Sequence, residues 1–380
     1  MAIRAERLRA LGQSVWLDFI RRGHLVSGEF DRIVREQGVV GVTSNPTIFQ
    51  QAIATSDDYD GGIATRSAEG LSGAALFEAL AVEDIQNACD RLRTVFEHTH
   101  GLDGRVSIEV NPKLAHDTAG SIEEGRRLRR EVGRDNVMIK VPATPEGLPA
   151  ITELTAEGVS VNVTLIFSIA RYEEVMDAYL LGLERRSARG LALESIYSVA
   201  SFFVSRVDTK VDAAIDAEIA KLPASAKERK ELATLKGKAA VANARLAYAR
   251  FGSVFASPRF KPLATRGGHL QRPLWASTST KNPAYPDTMY VDELIGPDTV
   301  NTMPPATLLA YNDHGSLEPR IEHDLEGARA LFARLPALGV PIERLIDQLE
   351  GEGVAAFAKS FDQLLDALNQ KRAALIARAR

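Results

Sequence analysis

Short apolar runs recur along the chain, each closed by Gly, Pro, Asn or Asp, and longer stretches with a helical apolar period separate them. Eight runs predict strands: 15–20, 38–45, 105–111, 136–142, 159–167, 197–208, 272–282 and 298–308. Several are apolar on consecutive residues, as expected of parallel strands covered by helices. The stretch 117–133 carries an apolar stripe of Ile122 and Leu128 to Val132 among charges, and 168–186 is amphipathic behind Ser168, a side chain suited to an N-cap. Strand then helix, eight times over, predicts an α/β fold, a (β/α)8 TIM barrel. An open doubly wound sheet uses the same alternation.

Two segments exceed what a barrel needs. Residues 46–104 hold more than one helix, interrupted by the Gly-rich 70–73. Residues 209–262 are rich in Ala, Lys and Glu, with Pro223 as a turn. Both read as helical insertions in a single barrel domain over 1–380, and 357–380 reads as an amphipathic C-terminal helix that must pack on something. The length of 380 residues by itself suggests two or three domains. A barrel takes about 250 residues, and these three segments account for the surplus.

Apolar residues make up 45% and charged residues 25%, and 46 Lys and Arg against 50 Asp and Glu give a net charge of −4. No global positive field would draw nucleic acid or an anionic membrane, so an anion must be held by a local site. Cys89 is the one cysteine, which excludes an intrachain disulfide and four-thiolate metal sites. The first residues scatter charges through what would be a signal peptide, and no apolar run reaches 18 residues, so a cytoplasmic location is expected. The oligomeric state is left open, a homo-oligomer included.

In a barrel the C-terminal ends of the strands carry the chemistry, and here those ends are polar: Asp18, Asn45, Glu109 with Asn111, Lys140, Asn162 with Thr164, Ser201 with Arg206, and Ser277 with Lys281. Lys140 lies inside the apolar VMIKVP, where an amine must pair or lose its charge. A neutral amine there would attack a carbonyl carbon and form a Schiff base; a structural lysine paired to Glu109 or Asp18 fits the spacing equally. Those two carboxylates could divide proton transfers around an imine or act as buried ion-pair partners. Arg206, Ser277 and Lys281 suit a phosphate clamp, although Lys281 alone reads more simply as solvated charge. Asn45, Asn162 and Ser201 suit sugar hydroxyls, or turns and caps, above all Asn45 before Pro46. Neither a P-loop nor a strand-linked G-x-G-x-x-G is present; His98 and His100 form one close pair, which reads as a solvated helix terminus rather than a metal site, and the other histidines show no metal-ligand spacing.

Six motifs together carry a resemblance: GVTSNPTIF (41–49), VSIEVNPKLAHDT (106–118), NVMIKVPAT (136–144), VSVNVTLIFS (159–168), SVASFFVSRVD (198–208) and WASTSTKNP (275–283). In these, and in their order, the chain resembles transaldolase, closest to the longer bacterial type. The resemblance implies a class I aldolase-like barrel without cofactor or metal, acting on small sugar phosphates. It makes Lys140 the Schiff-base lysine and Asp18 the acid/base of carbon–carbon cleavage, with Glu109 and Thr164 holding a proton-shuttling water. Asn45 and Asn162 would contact the three-carbon unit, Ser201 and Phe203 would line the pocket, and Arg206 and Ser277 would bind phosphate. Lys281 corresponds to the second phosphate-binding cation only through a gapped alignment. Glutamate at 109, where related fructose 6-phosphate aldolases typically carry glutamine, favours transfer over simple aldol cleavage. An aldolase without transfer and a non-catalytic sugar-phosphate-binding barrel are the rival readings.

Overall fold

The computed structural model describes residues 3–378. Eight strands, all parallel, close in chain order into one barrel: β1 Gln13–Leu17, β2 Gly41–Val42, β3 Arg105–Glu109, β4 Val137–Pro142, β5 Val161–Ile166, β6 Ser198–Phe203, β7 Gln271–Ala276 and β8 Thr299–Met303. The β1 and β8 pairing, from Gln13 with Thr299 to Leu17 with Met303, leaves no free edge. Helices cover the outside, so the strands are buried on both faces, and the consecutive apolar residues are the sequence trace of that double burial. The barrel expectation holds and the open sheet does not.

Several expected strands end early. The run 197–208 stops at Phe203, and Ser205–Lys221 is a helix, its Val207, Val211 and Ile215 buried every fourth residue. The run 272–282 stops at Ala276, because Ser277 turns the chain with a φ of 57°. The run 298–308 stops at Met303, where Pro305 opens the next helix. Arg206 therefore stands at a helix start, and Ser277 and Lys281 in a loop, rather than on strands.

Between β2 and β3 lie four helices, Pro46–Ala54, Asp60–Ala68, Gly73–Arg91 and Arg93–His98. Between β6 and β7, after Ser205–Lys221, come Lys227–Leu235, Ala239–Phe255 and the short Lys261–Thr265, with a turn at Pro223. The C-terminal helix runs Ile342–Arg378, much longer than the expected start at 357, and residues 379–380 lie outside the described residues. Its buried face reads Ile342, Ile346, Leu349, Gly353, Phe357, Phe361, Leu364 and Leu368, steps of three and four that form one stripe. At about 1.5 Å per residue this helix is long enough to cross the barrel mouth.

The N-terminal end of the barrel is plugged. Buried Arg272 donates to Ser14 Oγ at 2.6 Å and to the Thr299 carbonyl at 2.7 Å, and lies 3.4 Å from Asp103. Trp16 Nε1 donates to the same carboxylate. A closed bottom leaves the C-terminal mouth as the way in.

Candidate active site

Register sets the first layer of the site. Glu109 pairs with Lys140 across β3 and β4, and Lys140 with Asn162 across β4 and β5, so three polar side chains share one level of the barrel. Lys140 Nζ lies 3.2 Å from Glu109 Oε2, with both side chains about 95% buried (4% and 5% exposed), and donates to the Ser44 carbonyl at 3.2 Å. The pair is close, but Glu109 Oε2 lacks an aligned hydrogen bond. Burial raises the Glu109 carboxyl above its ordinary range against the opposing pull of Lys140, and the nearby Asp18 charge pushes the same way as burial.

Asp18 follows β1 and accepts from Thr43 Oγ1 at 2.6 Å; Thr43 also meets Thr302 Oγ1 at 2.7 Å. Burial raises the Asp18 carboxyl, opposed by the Thr43 bond and by the charges of Lys140 and Lys281. The mouth thus holds two carboxyls displaced upward beside one amine.

Asn162 and Ser201 form a chain: Ser201 Oγ donates to Asn162 Oδ1 at 2.7 Å, and Asn162 Nδ2 donates to Ser107 Oγ at 2.9 Å. Thr164 Oγ1, two residues further along β5, is buried without a hydrogen-bond partner. Asn45 caps the helix Pro46–Ala54, its Oδ1 accepting from Ile48 N at 3.0 Å, which engages one end of the amide in the structural role that Pro46 announced.

On the far side, Arg206 stacks over Phe203 at 5.6 Å. Burial lowers the Arg206 pKa. Ser277 Oγ lies 2.9 Å from Ser205 Oγ, the residue that opens the helix carrying Arg206. Lys281 Nζ donates to Ser279 Oγ at 2.5 Å, and its pKa falls through burial and repulsion from Arg206. Two cations and two hydroxyls thus gather near a helix start, an arrangement that suits a doubly charged anion. Among the described residues, no group of three or more His, Cys, Asp or Glu side chains could hold a metal ion.

Thr43 and Ser44, which meet Asp18 and Lys140, belong to GVTSNPTIF just past the end of β2, a position that marks them as neighbours of the site. Phe357 had no local signal. It stands 4% exposed on the C-terminal helix, its ring 5.7 Å from Lys140 Nζ.

A closed parallel barrel with its polar, partly charged cluster at the C-terminal mouth is the architecture of the (β/α)8 barrel enzymes. The family model described as Transaldolase/Fructose-6-phosphate aldolase matches residues 15–368, and the chain belongs to that family. It is 46% identical over 366 residues to Transaldolase 2 of Nostoc sp., covering 96% of both chains. It is 49% identical to Transaldolase of Frankia alni over 365 residues, 96% of each. Identity to Transaldolase of Thermobifida fusca is also 49%, over 370 residues, 97% of this chain and 98% of that one.

Proposed function

We propose that the protein is a cytoplasmic transaldolase of the non-oxidative pentose phosphate pathway. It moves a dihydroxyacetone unit from sedoheptulose 7-phosphate or fructose 6-phosphate to erythrose 4-phosphate or glyceraldehyde 3-phosphate. The observation that carries this reading is the buried Lys140 and Glu109 pair, with Asp18 in the same mouth, in a chain of this family.

Lys140 Nζ attacks the ketose carbonyl carbon, and the carbinolamine loses water to give a protonated imine. Asp18, as carboxylate, takes the proton of the hydroxyl on the carbon next to the breaking bond; the bond electrons flow into the imine, leaving an aldose phosphate and an enamine on Lys140. The enamine carbon then adds to the acceptor aldehyde, whose oxygen regains the proton, and hydrolysis of the new imine frees the product. Glu109 and Thr164 hold the water that moves protons while the carbinolamine forms and collapses. Thr164 Oγ1, buried without a hydrogen-bond partner, supports this role, because buried polar atoms need a partner that a water supplies, and Glu109 Oε2 meets Lys140 at 3.2 Å without an aligned hydrogen bond.

Asn162, Ser201 and Asn45 orient the hydroxyls of the three-carbon unit, and Phe203 forms a wall. Arg206 and Ser277 take the phosphate, and Lys281 adds a second positive charge that its proximity to Arg206 supports.

Borohydride reduction in the presence of fructose 6-phosphate tests the covalent step. Mass spectrometry should find a three-carbon adduct on Lys140, and folded protein without one would overturn the Schiff-base mechanism. Transfer is read separately: release of glyceraldehyde 3-phosphate should depend on added erythrose 4-phosphate. Independence from that acceptor would favour the aldolase reading, and no turnover or adduct at all would favour a binding barrel.

A further inference from the structure

We propose that Phe357, on the C-terminal helix, keeps the three-carbon unit on the enzyme by denying water access to the lysine-bound carbon. It acts as a positioning residue for transfer against hydrolysis. The inference rests on the Schiff-base reading of Lys140 and extends it to a residue more than 200 positions away in the chain.

The placement of the ring is specific. Phe357 lies 5.7 Å from Lys140 Nζ, 6.0 Å from the Arg206 guanidinium carbon and 6.5 Å from the Phe203 ring, edge to face. Phe203 in turn meets Phe167 at 5.2 Å. An apolar wall therefore runs between the amine, where the carbon is held, and Arg206, where the phosphate is bound.

The helix reaches this position through two devices. One turn before Phe357 stands Gly353, where an added Cβ would lie 3.0 Å from Leu165 Cδ2 and 3.6 Å from Arg206 Nη1. Leu165 projects from a register shift in β5 with a φ of 61°, a left-handed conformation that few non-glycine residues adopt. Glycine on one side and a strained leucine on the other bring helix and strand end into contact. Ionic ties then hold the helix across the mouth. Glu350 pairs with Arg171 at 2.8 Å, Glu352 with Lys210, and Asp362 with Lys113 at 2.6 Å. Those partners lie on the segments that follow β5, β6 and β3, so Phe357 is fixed from both sides rather than hung at a free end.

The chemistry gives the ring its task. After cleavage the enamine is lost if its carbon takes a proton and water adds to the resulting imine carbon, which releases dihydroxyacetone and restores the free amine. Transfer wins only if the acceptor arrives first, so each water kept from this side of Lys140 favours transfer. The ring face also attracts the positive charge of the imine.

The test measures two fates of one intermediate. With fructose 6-phosphate and erythrose 4-phosphate, free dihydroxyacetone is compared with sedoheptulose 7-phosphate formed. Phe357→Ala should raise that ratio about tenfold, and Phe357→Leu, which keeps most of the bulk, about threefold. A purely structural role would lower thermal stability and both product rates together while leaving the ratio unchanged, and that result would overturn the proposal. If the alanine variant fails to fold, the leucine variant decides in the same way. Borohydride trapping on the wild type separates the two claims. Without a Lys140 adduct the transaldolase reading itself fails, whereas an adduct with an unchanged ratio refutes only the role of Phe357.

Discussion

Replacing Lys140 by methionine keeps most of the length of the side chain and removes its charge, leaving Glu109 inside the barrel mouth without its partner. The two groups lie 3.2 Å apart with almost no exposure, so at an effective dielectric of about 20 their attraction is about 5 kcal/mol. Breaking one side of a buried pair costs about 3–5 kcal/mol in measured cases, and Lys140→Met should lose about that much stability at pH 8. The loss depends on pH in a definite direction. Burial already raises the Glu109 carboxyl, and loss of Lys140 removes the main force holding it down. For a carboxyl raised in the folded state, the stabilising contribution is complete below the unfolded value of about 4.3 and is lost as pH rises towards the folded value. As the pH falls from 8 to 6 the variant should therefore recover stability relative to wild type, by at most about 1.4 kcal/mol per pH unit while its Glu109 takes up a proton. Urea unfolding of wild type, Lys140→Met and Lys140→Met with Glu109→Gln, at pH 6 and pH 8, reads these quantities. The second substitution removes the orphaned charge and should restore most of the loss at pH 8. A pH-independent deficit, or a double variant no more stable than the single one, would refute the electrostatic account of this pair.

Asp18→Asn should still form the trapped imine with dihydroxyacetone while losing about 10²- to 10⁴-fold in carbon–carbon cleavage, the usual worth of a general base; trapping and a coupled turnover assay separate the two. In the wild type, loss of kcat/KM on the acid side should set in above the ordinary carboxylate value of 3.8, because burial raises Asp18 and the ionised form is the working base. Arg206→Ala should lower kcat/KM for phosphorylated ketoses about 10- to 100-fold through a lost charged contact, with little change for unphosphorylated fructose, as initial rates would show. Asp208 is buried under hydrogen bonds from Ala240 N and Tyr290, and burial raises its pKa to about 6. Its contribution to stability is therefore present at low pH and lost as pH rises from about 4 to about 6, by about 3 kcal/mol in all. Asp208→Asn should flatten that part of the curve in denaturant titrations.

The barrel was legible because its strands are buried on both faces, and double burial writes an unbroken apolar run into the sequence. Strand ends were less legible for the same reason. An apolar run that passes from strand into helix, as SVASFFV does before SRVD, keeps its composition while continuous burial gives way to burial every fourth residue, and only Val207, Val211 and Ile215 mark the switch. Lys140 and Glu109 stood out because a charge inside such a run is conspicuous. Asn45 also illustrates the limit: its cap was visible in Asn-Pro, yet that cap engages the oxygen that sugar recognition could have used.

Phe357 was out of reach for a different reason. A phenylalanine on an amphipathic helix carries the same pattern whether it covers a core or a lysine, and a separation of 217 positions from Lys140 leaves no spacing to interpret. What distinguishes it is a three-dimensional coincidence: Gly353, one helical turn before the ring, permits close approach, and Leu165 supplies the surface approached. A Cβ at 353 would meet Leu165 Cδ2 at 3.0 Å, so Gly353→Ala must move either the strained leucine or the helix by a few tenths of an ångström. If the helix moves, the ring at 357 moves with it, and the fate of the enamine should shift in the same direction as in Phe357→Leu. If the leucine moves, stability should fall while the fate stays unchanged. The single methyl group therefore tells which of the two contacts the barrel mouth holds more firmly.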